Sequence, residues 1–410
     1  MNFVFVSPNF PSRYYLFVEA LRRKGVTVLG IGDSVFQDLE PRLVASLTEY
    51  YFVRDLGDEE EMAQAVSYYQ KKYGKIDYLE SNNEWWLESD ARLRERFQIP
   101  TGFHPSEMEH IKAKSAMKEY FRKGGAKTMR YILVSGPEDQ GKAKAFAAEV
   151  GYPVFVKPNV GVGASDSHSL KNDGDLEAFL RKTLPETYIM EEFVEGAIVS
   201  FDGVCDSQGN VVFATTDHFP VPVADVVNEM IDDYYWTNPF SLPMDDIDAP
   251  SFLAVGKKVV KSFLIAKRCF HIEFFVLSKD KPGLAKKGEF VALECNMRPA
   301  GGYTPDLIDF AESASIYDIY ADVIAFDENR EDMGKEKYYA FTSARRDCYR
   351  YAHSEQEILE RYRYQLCMHG RYPSHLSDAM GDAYFYAKFK TKEEGLEFVS
   401  FVREKAPQEE

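Results

Sequence analysis

The chain is poor in the features that mark several large function classes. No apolar run in its 410 residues approaches the length of a bilayer span. The opening MNFVFVSPNF has neither the basic start nor the long apolar core of a signal peptide. Cysteine is scarce: Cys205, Cys269, Cys295, Cys348 and Cys367 form no CxxC pair, which fits a reducing cytoplasm better than a disulfide framework or a zinc site. Basic charge is in deficit, with 49 Lys and Arg against 66 Asp and Glu. A net charge of -17 repels a nucleic-acid backbone, although it leaves room for a local basic pocket. Glycine is missing where a dinucleotide would need it. The turn after the first apolar run is Ser7-Pro8-Asn9-Phe10-Pro11, and its prolines hinder the close backbone approach that a pyrophosphate requires. The expectation is a cytoplasmic protein of small-molecule chemistry, with neither nucleic acid nor membrane as partner.

What is present points to two or three α/β domains. NFVFV (2–6) reads as a buried strand, 13–24 as a helix with Tyr14, Phe17, Val18 and Leu21 on one face, and VTVLGIG (26–32) as a second strand. A helix near 58–73 and a strand at 76–81 continue the rhythm, which implies a parallel layer. Beyond IPTGFHP (99–105) the pattern predicts one helix over 107–123, a strand at 128–134, a helix to about 149, and strands at 154–156 and 187–194. A strand pair within VSFDGVCDSQGNVVFATT, a helix near 251–265 and a hairpin of CFHIEFFVL with EFVALECN follow. The tail from about 337 reads as a small further α/β unit.

Three stretches carry chemistry. In VFVKPNVGVGASD, Lys157 lies in an apolar strand, where an unpaired ammonium is costly. It reads as a phosphate ligand or as a lysine snorkelling from a strand edge. Gly161 and Gly163 beyond it read as an amide cradle for phosphate or as an ordinary hairpin turn. TYIMEEFVEG (187–196) reads as a strand offering its backbone to a ring edge, with Met190 and Phe193 as walls, or as a plain core strand. The third signal is the strongest. Alternation puts His271 and Glu273 on one face of their strand and Glu294 and Asn296 on one face of theirs. Two carboxylates and an amide, with no thiolate, suit Mg²⁺. Arg298 follows and would neutralise developing anionic charge. Asp232-Asp233 and Asp245-Asp246 read as solvated loop acids, and Arg345-Arg346 as a charged strand end. Arg13 and Asn82-Asn83-Glu84-Trp85-Trp86 read either as the border of an acceptor site or as packing.

Taken in this order, the motifs resemble the ATP-grasp superfamily of carboxylate–amine and carboxylate–thiol ligases, including carbamoyl-phosphate synthetase-like and L-amino-acid ligase-like proteins. The resemblance runs to about residue 310. It implies an α/β and α+β architecture: a Rossmann-like domain at 1–105, a first ATP-grasp part with a mobile glycine-loop lid at 106–195, a catalytic part with the metal site at 196–335, and a C-terminal extension at 336–410. It implies that Lys114 and Lys157 bind ATP phosphates and that Gly161 and Gly163 form the lid loop. Glu191, Glu192, Phe193 and Val194 match the adenine hinge, with Glu191 near the amino group. Glu273, Glu294 and Asn296 match the ligands of Mg²⁺ (or Mn²⁺), and Arg298, with Lys157, the catalytic cations. The chain departs from the family pattern where a ribose-binding glutamate is usual: Ile198 stands there, leaving Glu195 as the nearest substitute. The implied activity is ATP-dependent amide or peptide formation from a small carboxylate and an amine, with a homodimer as the implied assembly. The other implied outcome is a nucleotide-binding protein without ligase turnover.

Overall fold

Four parallel strands begin the chain: β1 (Asn2–Val6), β2 (Thr27–Gly32), β3 (Glu49–Phe52) and β4 (Tyr78–Glu80), in the order β3-β2-β1-β4. The computed structural model describes residues 1–161, 166–182, 184–221, 226, 229–244 and 247–407. β1 is apolar from Phe3 to Val6 because helices cover both faces of the layer, as parallel sheets require. Helix Glu59–Tyr73 starts where Asp58 accepts from the Glu60 and Glu61 N–H groups, and ends at Gly74. β3 and the helices Pro41–Ser46 and Leu87–Phe97 were not separately expected from the sequence.

Two predicted elements are each divided. The helix expected over 107–123 is two helices, Met108–Lys112 and Lys114–Lys123, with Ala113 extended between them. Ala113 bridges to Val160, and the Lys114 N–H donates to the Asn159 carbonyl at 2.8 Å, so a contact from outside the helix overrides its periodicity. The strand expected over 128–134 is β5 (Lys127–Thr128) and β6 (Tyr131–Val134), which belong to different sheets.

β6 joins β7 (Val154–Pro158), β8 (His168–Leu170) and β9 (Tyr188–Glu192) in a small antiparallel sheet, order β6-β9-β7-β8. Helices Gln140–Val150 and Asp173–Leu180 cover it, and Val154, Val156, Phe179 and Met190 share its core. Only Met129-Arg130 separates β5 from β6, and only Phe193–Glu195 separates β9 from β10 (Gly196–Cys205). Met129 and Val194, one from each link, pack in one apolar cluster with Leu277 and Val291.

The large sheet takes β10, β11 (Val211–Phe219), β12 (Tyr234–Asn238), β13 (Arg268–Leu277), β14 (Phe290–Asn296), β15 (Tyr339–Arg345), β16 (Leu366–Arg371) and β17 (Ala383–Phe389). Its order is β16-β17-β15-β12-β11-β10-β13-β14-β5. Helices Lys114–Lys123 and Ala249–Ser262 cover one face through Phe121, Phe201, Phe252, Val259 and Phe274. At one end of the other face Val204, Phe213 and Cys269 meet helix Ile316–Phe326 and the N-terminal layer. The segment read as a C-terminal extension supplies β15, β16 and β17 to this same sheet. Among the described residues no helix is long and apolar enough to cross a membrane.

Candidate functional site

Where the small sheet meets the large one, three lysines are buried. The Lys114 Nζ lies 3.1 Å from the Glu294 Oε1 and donates to the Gly161 carbonyl at 3.1 Å. Lys157, on β7, is paired with the Glu191 Oε2 at 3.1 Å, and Lys118 with the Glu191 Oε1 at 2.5 Å. Lys118 is fully inaccessible to solvent, and the other two nearly so. Burial works against ionising Glu191, but Lys118 and Lys157 outweigh it and hold its pKa at about 2. For Lys157 burial is outweighed in turn by Glu191 and Glu294, and its pKa rises. For Lys118 burial prevails and lowers the pKa. Two ammonium groups on one carboxylate leave a positive charge to spare, which suits an incoming phosphate.

The expected hairpin is present, and β13 and β14 set Glu273 opposite Glu294 and His271 opposite Asn296. A bulge follows Glu273, so Leu293 has no partner in the register and the acids keep their alignment. The His271 Nε2 is 3.0 Å from the Glu273 Oε1, and its Nδ1 is 2.8 Å from the Asp202 Oδ1. Burial opposes ionisation of Glu273, yet His271 holds its pKa below the ordinary value. Burial likewise opposes charging His271, but Asp202 and Glu273 raise its pKa to about 10. Like charges directly opposite on paired strands repel. Here Lys114 and His271 each offset one of them, and a hard cation between the carboxylates would do the same. The donor set therefore fits Mg²⁺. Among the described residues no cluster of three or more His, Cys, Asp or Glu is arranged to hold a metal alone.

The expected hinge is only partly available to a ring. Met190, read as a wall, is wholly inside the small-sheet core. The Glu192 carboxylate accepts from the Arg130 N–H at 2.8 Å and pairs with its guanidinium at 2.6 Å, while the Glu192 N–H donates to the Arg130 carbonyl at 3.1 Å. Phe193 is half-buried and Val194 buried. Glu195 is exposed and pairs with Lys279 at 2.5 Å. Ile198 pairs across the sheet with Phe219 and Phe275, so the position of the missing glutamate is an apolar patch. Gly163 lies outside the described residues, as do Asp245 and Asp246.

Arg298 donates to the Pro299 carbonyl at 2.8 Å and stands 3.9 Å from Glu84, which pairs with Lys112 at 2.8 Å. Asp232 and Asp233 are not solvated loop acids. Asp232 is buried against Lys405 and the Tyr351 hydroxyl, and burial pushes the Asp233 pKa up to about 7. Arg345 closes β15 as the expected charged strand end, and Arg346 just beyond it is buried and donates to the carbonyls of Val226, Ile231, Ser377 and Asp378.

Residues 113–228 match the family model of the carbamoyl-phosphate synthase L chain ATP-binding domain. The whole chain superposes on an L-amino acid ligase from Bacillus licheniformis with a TM-score of 0.67 at 15% identity, covering 97% of this chain and 95% of that one. The chain has the ATP-grasp fold. N5-carboxyaminoimidazole synthetase from Staphylococcus aureus matches with a TM-score of 0.67 at 14% identity, covering 98% and 97% of the two chains. The biotin carboxylase domain dimer of the Hydrogenobacter thermophilus 2-oxoglutarate carboxylase, in complex with MgADP, ADP and bicarbonate, gives 0.65 at 16% identity, covering 96% and 87%.

Within this fold, Lys118 and Asn159 join the site without having been expected from the sequence, and His271, placed there on the Glu273 face, gains its role as partner of Glu273 and Asp202. Lys118 was open to discovery: it lies four residues from Lys114 and therefore on the same helix face. Asn159 gave no sequence signal, because its role is to cap a helix in another part of the fold.

Proposed function

We propose that the chain is an ATP-dependent carboxylate–amine ligase. The observation that supports this best is the convergence of Lys114, Lys118 and Lys157 with Glu191, Glu273 and Glu294 at the junction of the two sheets. In this reading Lys114, Lys118 and Lys157 draw the phosphate chain of ATP into the junction and spread its charge. Glu273, Glu294 and Asn296 would hold Mg²⁺, which when bound neutralises phosphate oxygens. A substrate carboxylate oxygen attacks the γ-phosphorus, the bond to ADP breaks, and an acylphosphate results. A neutral amine then attacks the acyl carbon, the C–O bond to phosphate breaks, the departing phosphate takes up the proton lost from nitrogen, and an amide or peptide is released. Arg298 stabilises the oxyanion in both steps, and no covalent enzyme intermediate is needed. The hinge at Glu191–Val194 takes the adenine in the same reading, and the small sheet excludes water from the acylphosphate. A homodimer is part of the reading, since one structural neighbour is described as a dimer.

One feature favours a second reading. The apolar patch at Ile198, Phe219 and Phe275 offers the ribose hydroxyls no carboxylate, as would suit a nucleotide-binding protein without turnover. An ADP-release screen across carboxylic and amino acids, with and without amines, separates the two. The ligase reading expects acid-dependent ADP release that Glu294→Ala reduces at least ~100-fold with circular dichroism unchanged. Tight MgATP binding with no release for any acid supports the second reading.

A further inference from the structure

Behind the paired acids Glu273 and Glu294 the large sheet carries a buried row of polar side chains. β10 lies beside β13 with Ser200 opposite Glu273 and Asp202 opposite His271, and β14 on the far side sets Glu294 and Asn296 against the same two residues. Directly opposite residues share a face of the sheet, so all six side chains belong to one patch.

Asp202 is the fixed point of this patch. Its Oδ1 lies 2.8 Å from the His271 Nδ1, and its Oδ2 accepts from the Ser200 hydroxyl. Asp217, opposite Ser200 on β11, is also bonded to Asp202, and the Thr237 hydroxyl of β12 donates to Asp217 in turn. Burial first, and the Asp202 charge next, push the Asp217 pKa well up, so Asp202 meets a neutral carboxyl there and not a second negative charge. The aspartate is thereby tied to β11 and β12 as well as to its own strand.

The rigid His271 ring spans from this anchor to Glu273, whose Oε1 lies 3.0 Å from the His271 Nε2. Phe219 meets the ring at 80°, with centroids 6.3 Å apart. Ser200, Asp202, Asp217 and His271 are buried, whereas the Glu273 side chain is 25% exposed. A glutamate stem turns about several bonds and by itself leaves its carboxylate free to swing. Here one oxygen is held and the other is left open.

Resting on the reading of Glu273 as a metal ligand, we propose that Asp202 and His271 are positioning residues for the divalent cation, a strut that holds the Glu273 Oε1 and presents its Oε2 alone. One oxygen at a fixed place suits Mg²⁺, which demands near-ideal octahedral geometry and keeps several waters. Neither residue touches the metal; both act through Glu273.

The test is Mn²⁺ titrated into the full chain with ADP and followed by electron paramagnetic resonance, with ADP affinity measured separately in EDTA. Removing His271 takes away a positive charge, and charge alone would then tighten Mn²⁺ binding. The strut predicts the opposite. His271→Ala and Asp202→Ala should each weaken Mn²⁺ binding at least about tenfold, with ADP affinity in EDTA within about twofold of the wild type. Asp202→Asn should recover most of the loss, because its amide oxygen still accepts from the His271 Nδ1–H. The double alanine variant should lose no more than the worse single one, since the two residues act as one piece. It also removes both buried charges together, so it is the variant to read should a single one fail to fold. Unchanged or tighter Mn²⁺ binding in His271→Ala or in the double variant, or additive losses, would overturn the strut even in an active ligase. The expected losses with no ADP release from any acid would instead sink the ligase reading and leave the strut standing.

Discussion

Glu191 is the residue on which the buried charges depend. Removing one partner of a buried pair costs about 3–5 kcal/mol when it strands the other charge. Glu191→Gln strands both Lys118 and Lys157, whereas Lys118→Met leaves Glu191 still paired with Lys157. The glutamine variant is therefore expected to lose about 3 kcal/mol or more in urea denaturation. Lys118→Met is expected to lose less than half of that, yet to weaken ATP binding about tenfold or more by calorimetry. The acid dependence has a definite sign. A carboxyl held at about 2 in the fold, below its ordinary 4.5, contributes fully above about pH 4.5 and loses its contribution as pH falls toward 2. The stability gap between the wild type and Glu191→Gln should therefore shrink across that window, and a constant gap would contradict the pairing. The placement of the two paired acids was legible beforehand. Glu273 and Glu294 could be found because strand alternation fixes their faces. The spacing puts Lys118 on the Lys114 face, but its burial was not legible, because a lysine on a helix is by default solvated and the small sheet packed over it makes it a buried cation.

Among the elements, the broken helix shows where sequence periodicity fails. Nothing between 107 and 123 is a helix breaker, and the interruption at Ala113 comes from Asn159 and Val160 on the small sheet. The helix Lys114–Lys123 has no capping side chain of its own, and its Ser115 N–H is satisfied by the Asn159 Oδ1 at 2.9 Å. Asn159→Ala removes that cap, at an expected cost of about 1 kcal/mol in thermal or urea melts. Because the same helix aims Lys114 and Lys118, the variant should also bind ATP more weakly than its stability loss alone accounts for. Unchanged affinity would mean that the lysines are positioned by packing and not by the cap. β1, β2 and β4, the hairpin and the tail strands β15 and β17 were legible because of their apolar runs, whereas β3 and β16 were not. The split of 128–134 was not, since β5 and β6 differ in their partners and not in their composition.

At the scale of the molecule, the part beyond residue 336 is not separable in its packing. β15 lies between β12 and β17, and Trp236 of β12 shares a cluster with Phe341, Phe385 and Phe398. Gly395 lies so close to Phe341 that an added Cβ would come within 1.9 Å of the ring. Truncation after residue 335 would leave the five residues of β12 as an open edge beside an uncovered core. That fragment is expected to aggregate, and a soluble, cooperatively melting one would show that the tail is an independent unit. The sequence marked the tail's elements but not their membership of the main sheet, because strand pairing at such separation has no local signature.

The two short links between the sheets, Met129-Arg130 and Phe193–Glu195, do more than join them. Their cores touch through Met129 and Val194, and Arg130 grips Glu192 across the gap. Lys157 and Glu191 belong to the small sheet, while Lys114 and Lys118 belong to a helix packed on the large one, so the Lys118–Glu191 pair spans the junction and fastens one sheet to the other by charge. Asn159 and Gly161 add hydrogen bonds to Ser115 and Lys114 beside it. Parting the sheets would break all of these at once and wet two buried charges, so the junction holds as a single fastening.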